Sequence, residues 1–173
     1  MKSERYSIIY SSKTGNTKKL AETIYDTLPK NECDYYGEVN KINEELSDMI
    51  YIGFWTEKGN ADSLTLEFLK KLKNKKIFLF GTAGYGKSEK YFDGIINKVK
   101  ENIDSSNTII GTFMCQGKMP LSVRERYEKM REQNSISFNI DDLIANFDKA
   151  LSHPDEDDLK TLEEIILSGV KRS

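Results

Sequence analysis

Two stretches of the chain hold residues suited to gripping a phosphate. Residues 11–17 read S-S-K-T-G-N-T. Hydroxyls at Ser12, Thr14 and Thr17 surround Gly15, where the backbone can come close to a ligand, and Lys13 and Asn16 share the loop. An apolar run precedes the loop and a helical pattern follows it. The first turn of a helix has unpaired N–H groups and a partial positive charge, so it is a ready anion site. Serine or threonine before a helix is usually a cap, which accounts for one hydroxyl but not for S-x-T-G-x-T. The second stretch is Gly81 to Ser88, G-T-A-G-Y-G-K-S. It satisfies the P-loop pattern G-x-x-x-x-G-K-[ST] and alone would imply a nucleotide triphosphatase.

The elements that must position these loops alternate in kind. Short β-rich runs occupy 5–10, 34–39, 48–54, 76–80 and 108–115. Apolar residues at helical spacing fall between most of them: Leu20, Ala21, Ile24 and Leu28, then Leu64, Phe68, Leu69 and Leu72, then Phe92, Ile95, Ile96, Val99 and Ile103. Strand–helix alternation predicts a parallel sheet with crossover helices. The runs at 48–54, 76–80 and 108–115 are continuously apolar, as strands covered on both faces should be. The run at 34–39 is more polar and fits an edge, and the short polar segment 40–47 leaves room only for a small second crossover helix. From Pro120 the pattern is helical. Val123, Tyr127 and Met130 form a thin apolar stripe, and Ile140, Leu143, Ile144, Phe147 and Leu151 a fuller one. A final helix follows, with Ser152 or Asp155 as cap, Pro154 in its first turn, and Lys171 and Arg172 at its far end.

Composition narrows the function. The 173 residues are enough for one domain with a full core. A net charge of −2 without a Lys/Arg cluster gives no reason to expect nucleic acid as a partner. No apolar run approaches the roughly 20 residues needed to span a membrane, and the N-terminus lacks the form of a secretory signal. Cys33 and Cys115 have no metal-ligand spacing, and two cysteines without such a signal suggest a reducing cytoplasm. With His153 the one histidine, a histidine-based metal site or triad is not expected.

In an open parallel sheet, ligands bind beyond the carboxyl ends of the strands. Directly after the first strand, S-x-T-G-x-T resembles the phosphate loop of the flavodoxins. The resemblance covers residues 5 to about 115. It implies an α/β three-layer sandwich with a five-stranded parallel sheet in order 2-1-3-4-5, here a single domain over 1–173 with a helical C-terminal region at 118–173. It also implies FMN as cofactor, its phosphate held by Ser12 to Thr17. Trp55, the chain's one tryptophan, would lie against the flavin ring in the loop after the third strand, with Thr56 and Lys58 beside it. Gly59 would permit a peptide there to turn its carbonyl toward flavin N5 on reduction; which peptide turns is left open. The apparent P-loop becomes the third cofactor loop. Thr82, Ala83 and Gly84 would offer backbone groups to the flavin's polar edge, Tyr85 or Tyr91 would cover the other face, and Gly86 completes the turn.

The P-loop reading also lacks a Mg²⁺-binding acid at a neighbouring strand end. A receiver domain, which shares the topology, would need acidic residues where this chain has Ser11-Ser12 and Phe54-Trp55. The resemblance therefore implies transfer of low-potential electrons by a cytoplasmic carrier. Its redox partners would be a reductase and an acceptor flavoenzyme or iron-sulfur protein. A carrier needs no acid, base or nucleophile. Two other functions use the same loops: an FMN-dependent reductase acting on a quinone- or porphyrinogen-like substrate, and a non-redox binding module. Lys13, Lys58, Lys87 and Lys118, each in a loop after a strand, predict a mildly basic rim that docks acidic partners.

Overall fold

The computed structural model describes residues 4–86, 88–133 and 139–168. Five parallel strands form the sheet: β1 (Tyr6–Tyr10), β2 (Cys33–Glu38), β3 (Met49–Glu57), β5 (Lys76–Ala83) and β6 (Thr108–Gln116). A two-residue strand, β4 (Asn60–Ala61), pairs antiparallel with the end of β3. The order is β2-β1-β3-β5-β6. Apart from the added β4, this is the expected 2-1-3-4-5 arrangement. The edge strand β2 is half-buried along its whole length. Its crossover to β3 contains only a 3-10 turn at Val39–Lys41, in keeping with the short polar segment there.

Alternation along the strands divides the core in two, because successive side chains point to opposite faces. Tyr6, Ile8 and Tyr10 of β1, Tyr51 of β3, and Phe78 and Phe80 of β5 share one face with Leu20 and Ile24 of α1 (Asn16–Thr27) and Leu162 and Ile166 of α6 (Glu156–Ser168). Ile9, Ile50, Ile52, Ile77 and Leu79 form the other face, beneath Leu69 of α2 (Ser63–Leu69) and Ile95, Ile96 and Val99 of α3 (Glu89–Lys100). The strands are covered on both sides, which is why their sequences are continuously apolar.

The C-terminal region has two parts. Helix α6 returns to the sheet and packs beside α1. Helices α4 (Leu121–Glu132) and α5 (Ile140–Ala150) instead build a third cluster, from Tyr127, Ile140, Ile144 and Phe147. Asp155 caps α6, its carboxylate accepting from Asp158 N at 2.9 Å. Pro154 precedes that cap and is not in the first turn as expected. Lys171 and Arg172 lie outside the described residues. Among the described residues, no helix is long and apolar enough to cross a membrane.

Candidate functional site

The carboxyl ends of β1, β3, β5 and β6 open on one cleft of about 460 Å³, within the usual size of a small-molecule site. Of the residues expected in the site, Lys13, Thr14 and Asn16 line it from the first loop. Trp55, Thr56, Lys58 and Gly59 line it from the β3–β4 hairpin, and Thr82, Ala83, Gly84 and Tyr85 from the end of β5. Ser12, Gly15, Thr17 and Gly86 are not part of the lining.

The first loop turns into α1 at Gly15, whose φ of 88° lies in the left-handed region that favours glycine. No atom lies within 4 Å of where its Cβ would be, so the requirement is one of backbone conformation, with open space beside it. The expectation of three hydroxyls aimed at one point is corrected. Ser12 Oγ accepts from Lys18 N at 3.3 Å and so acts as a cap for the helix start. Thr17 is fully enclosed. Its hydroxyl donates to the Phe54 carbonyl at 3.1 Å and lies 3.3 Å from Thr82 Oγ1, tying α1 to β3 and β5. Thr14 Oγ1 and Asn16 Nδ2 both donate to the Lys118 carbonyl, at 3.4 and 2.8 Å, and so brace the loop against the end of β6.

Thr14 and Thr17 therefore have separable roles. Thr17→Ala removes a buried hydroxyl that ties α1 to the Phe54 carbonyl and to Thr82, and is expected to lower stability by about 1–3 kcal/mol. Thr14→Ala, at a partly exposed position, should stay within about 0.5 kcal/mol of wild type while weakening FMN binding. Denaturant unfolding alongside FMN titration checks both; equal effects of the two substitutions on stability would contradict this division.

Trp55 is half-buried and belongs to neither face of the core. It lies within β3, which runs on to Glu57, and not in a loop as expected. Across the sheet it is in register with Thr82. Asp62 anchors its backbone: Trp55 N donates to the carboxylate at 3.3 Å, and Asp62 N donates to the Trp55 carbonyl at 3.0 Å. Lys13 Nζ lies 5.0 Å from the indole centroid, a cation–π contact. Lys58 and Gly59 form a two-residue hairpin with φ of 52° and 77°, the signs of a type I′ turn. Thr56 Oγ1 is buried without a hydrogen-bond partner among the described residues, an unused hydrogen-bonding capacity beside the cleft.

The loop after β5 is braced from within. The Ala83 carbonyl accepts from Gly117 N at 2.9 Å. The Gly84 carbonyl accepts from Gln116 Nε2 and Asn146 Nδ2, both at 3.0 Å. The Gly84 carbonyl thus has both lone pairs engaged, while the Ala83 carbonyl has one still available. Tyr85 and Tyr91 both line the cleft, edge to face with centroids 6.4 Å apart. Tyr85 Oη is 3.2 Å from Tyr127 Oη of α4, and burial together with this bond pushes the Tyr85 phenol up to about 12. It stays neutral at physiological pH.

P-loop geometry is absent from the described part of that segment. Gly81, Thr82 and Ala83 belong to the strand. Ser88 is the N-cap of α3, its hydroxyl accepting from Tyr91 N at 3.2 Å, and so does not sit inside a helix turn against a metal ion. Lys87 lies outside the described residues.

A further wall runs from Gly117 to Arg126, of which only Lys118 was expected, as part of the rim. Gly117 and Lys118 directly follow the end of β6 at Gln116, so the strand-end rule covers them. Met119, Ser122, Val123 and Arg126 approach from the start of α4, and nothing in a charged amphipathic helix marks it as a cleft wall. His153 also joins a cluster that sequence spacing did not show: its ring and the Asp155 and Asp158 carboxylates have ligand atoms within 4.8 Å of one another. Those atoms are engaged as the cap of α6, with Asp158 Oδ2 taking bonds from Asp155 N and the His153 ring. Burial pushes the nearby Cys115 thiol well up, so it is neutral and unreactive.

A doubly covered parallel sheet with its cleft at the strand ends defines an α/β protein of flavodoxin-like architecture. Residues 7–167 match the Flavodoxin domain family, and the chain belongs to that family. It is 38% identical to the flavodoxin-like domain-containing protein BilS of Clostridium symbiosum, over 96% of each chain. It is 36% identical to the protein of the same name from Clostridioides difficile, over 88% of each. Among solved structures, oxidised flavodoxin 2 of Bacillus cereus superposes with a TM-score of 0.61 at 16% identity, over 95% of this chain and 97% of that one. The flavodoxin of Streptococcus pneumoniae TIGR4 gives 0.57 at 15%, over 93% and 94%. At such identities these two show the shared fold.

Proposed function

We propose that this protein holds FMN in the strand-end cleft and passes electrons between redox proteins of the cytoplasm. The observation that carries the reading is the convergence at one cleft of the α1 start, Trp55 and Tyr85 from three separate strand ends. The residues fit the cofactor. The amides of the first α1 turn, with Lys13 and Thr14, would take the phosphate. Trp55 and Tyr85 would take the ring, and Thr56 Oγ1 has hydrogen-bonding capacity to spare. Bound FMN supplies the electron chemistry. The chain's part is to orient the ring, through a Trp55 backbone fixed by Asp62, and to shield it with the α4 wall. The purified protein should be yellow, or become so with FMN, at one flavin per chain and with preference over FAD. An absorbance spectrum tests this, and colourless protein that cannot be reconstituted would sink it.

Four cations line the cleft, Lys13, Lys58, Lys118 and Arg126, all exposed. A redox partner with an acidic face would be steered to such a rim. Partner reduction should therefore slow as salt rises through the range where the screening length falls to about 10 Å or less. Stopped-flow rates independent of ionic strength would contradict a charged docking rim. The α4 wall also favours a second reading, in which the cleft admits a quinone-like substrate of its own. Steady-state NAD(P)H- or quinone-dependent turnover by the isolated protein would support that reading over the carrier.

A further inference from the structure

The described residues lining the cleft include four cations and no aspartate or glutamate, although the chain as a whole carries a net charge of −2. The carboxylates adjacent in sequence lie outside the lining. Glu57 is exposed, and Asp62 is buried as the cap of α2 with its oxygens engaged by Trp55 N, Thr65 N and Thr65 Oγ1. Two of the cations, Lys13 and Lys58, come from loops of the sheet core. The other two, Lys118 and Arg126, come from the segment that leads into α4 and from α4 itself. The α4–α5 hairpin is held in place by the Tyr85–Tyr127 contact and the Asn146–Gly84 bond. The hairpin thus adds positive charge to the cleft as well as a wall.

Two electrons and one proton convert an oxidised flavin ring to a reduced ring with one negative charge on its pyrimidine side. The electrons come from a reduced donor, and the proton, taken from water, ends on N5. Charge that develops on a ligand is stabilised by fixed opposite charge around it. We propose that Lys13, Lys58, Lys118 and Arg126 stabilise the negative charge of the reduced flavin, so that this chain holds reduced FMN more tightly, relative to oxidised FMN, than the same cleft would without them. This rests on the FMN reading above. It sets the potential of the bound cofactor less negative than the cleft would otherwise give.

The test is an anaerobic dithionite titration of the FMN-loaded protein against a dye of known potential. Lys58 and Arg126 are the cations to remove, since neither lies on the phosphate loop. In Lys58→Gln/Arg126→Gln the hold on reduced FMN relative to oxidised FMN should fall at least tenfold. For a two-electron couple this is a shift of about 30 mV to more negative potential. Lys58→Arg/Arg126→Lys should restore the wild-type value. Raising the salt concentration should lower the wild-type potential, since these cations are exposed and screened, and should move the double glutamine variant less. Bound FMN at the same potential in wild type and glutamine variant overturns the inference and leaves the cofactor reading intact. If the glutamine variant does not fold, a salt-independent wild-type potential overturns it equally. Wild-type protein that takes up no FMN overturns both.

Discussion

Phe147→Ala is expected to melt the α4–α5 hairpin while leaving the α/β core folded. Phe147 is 1% exposed and is the largest fully buried side chain of the third cluster. Truncating a buried phenylalanine costs about 3–5 kcal/mol through lost contacts and the cavity left behind. The cluster is small, four buried residues with Met119, Val123, Met130 and Leu143 partly buried around them. The remaining ties include the exposed pairings of Arg124 with Asp148 and Arg131 with Asp141, which solvent screens, the Tyr85–Tyr127 contact, and the Asn146 bonds with the Gly84 carbonyl and the Gln116 amide. The two sheet faces have their own cores and make no use of Phe147. Hydrogen exchange would read the result. Amides of 121–132 and 140–150 should lose protection while those of β3 and β5 keep theirs. FMN should also bind more weakly, because the cleft loses the wall that α4 supplies. Uniform loss of protection across the molecule would show instead that the hairpin and sheet unfold as one unit.

The parts of this molecule legible in its sequence are those with a short-range physical signature. Continuous apolar runs bounded by turns reported strands covered on both faces, and the helical spacing of Leu20, Ala21 and Ile24 reported the face of α1 that meets them. The polar character of 34–39 marked an edge. What sequence did not show depends on three-dimensional neighbours. Thr17 reads as a loop hydroxyl, yet its Oγ1 turns inward because Phe54 and Thr82 lie there. The Gly84 carbonyl reads as a free acceptor, yet Asn146, 62 positions away in the chain, donates to it. Strand ends were misjudged by up to three residues because Trp55, Thr56 and Glu57 continue a pairing that starts in an apolar run but ends in polar residues. Arg126 has no local signal at all. It becomes part of the cleft only because Tyr127, its neighbour, is drawn into the third cluster and against Tyr85.

Trp55→Ala is expected to cost the protein its grip on FMN without much loss of stability. The indole is half-buried at the cleft and lies outside both core clusters. The backbone that carries it is fixed independently of the ring, by the bonds of Trp55 N and the Trp55 carbonyl with Asp62 and by pairing with Thr82. Removing the ring therefore leaves the strand in place. An aromatic platform under a stacked heterocycle is worth about 1–3 kcal/mol by alanine substitution, so affinity should fall by roughly one to two orders of magnitude. Trp55→Phe should recover part of the loss. Because the chain has one tryptophan, wild-type emission reports this position alone. FMN titrated into the apoprotein should quench it in step with the change in flavin fluorescence. The quenching curve and the loss in Trp55→Ala are independent measures of one contact. If the flavin binds while tryptophan emission is unchanged, the ring lies elsewhere in the cleft. Trp55 would then serve mainly as the surface on which Lys13 rests, 5.0 Å from its centroid.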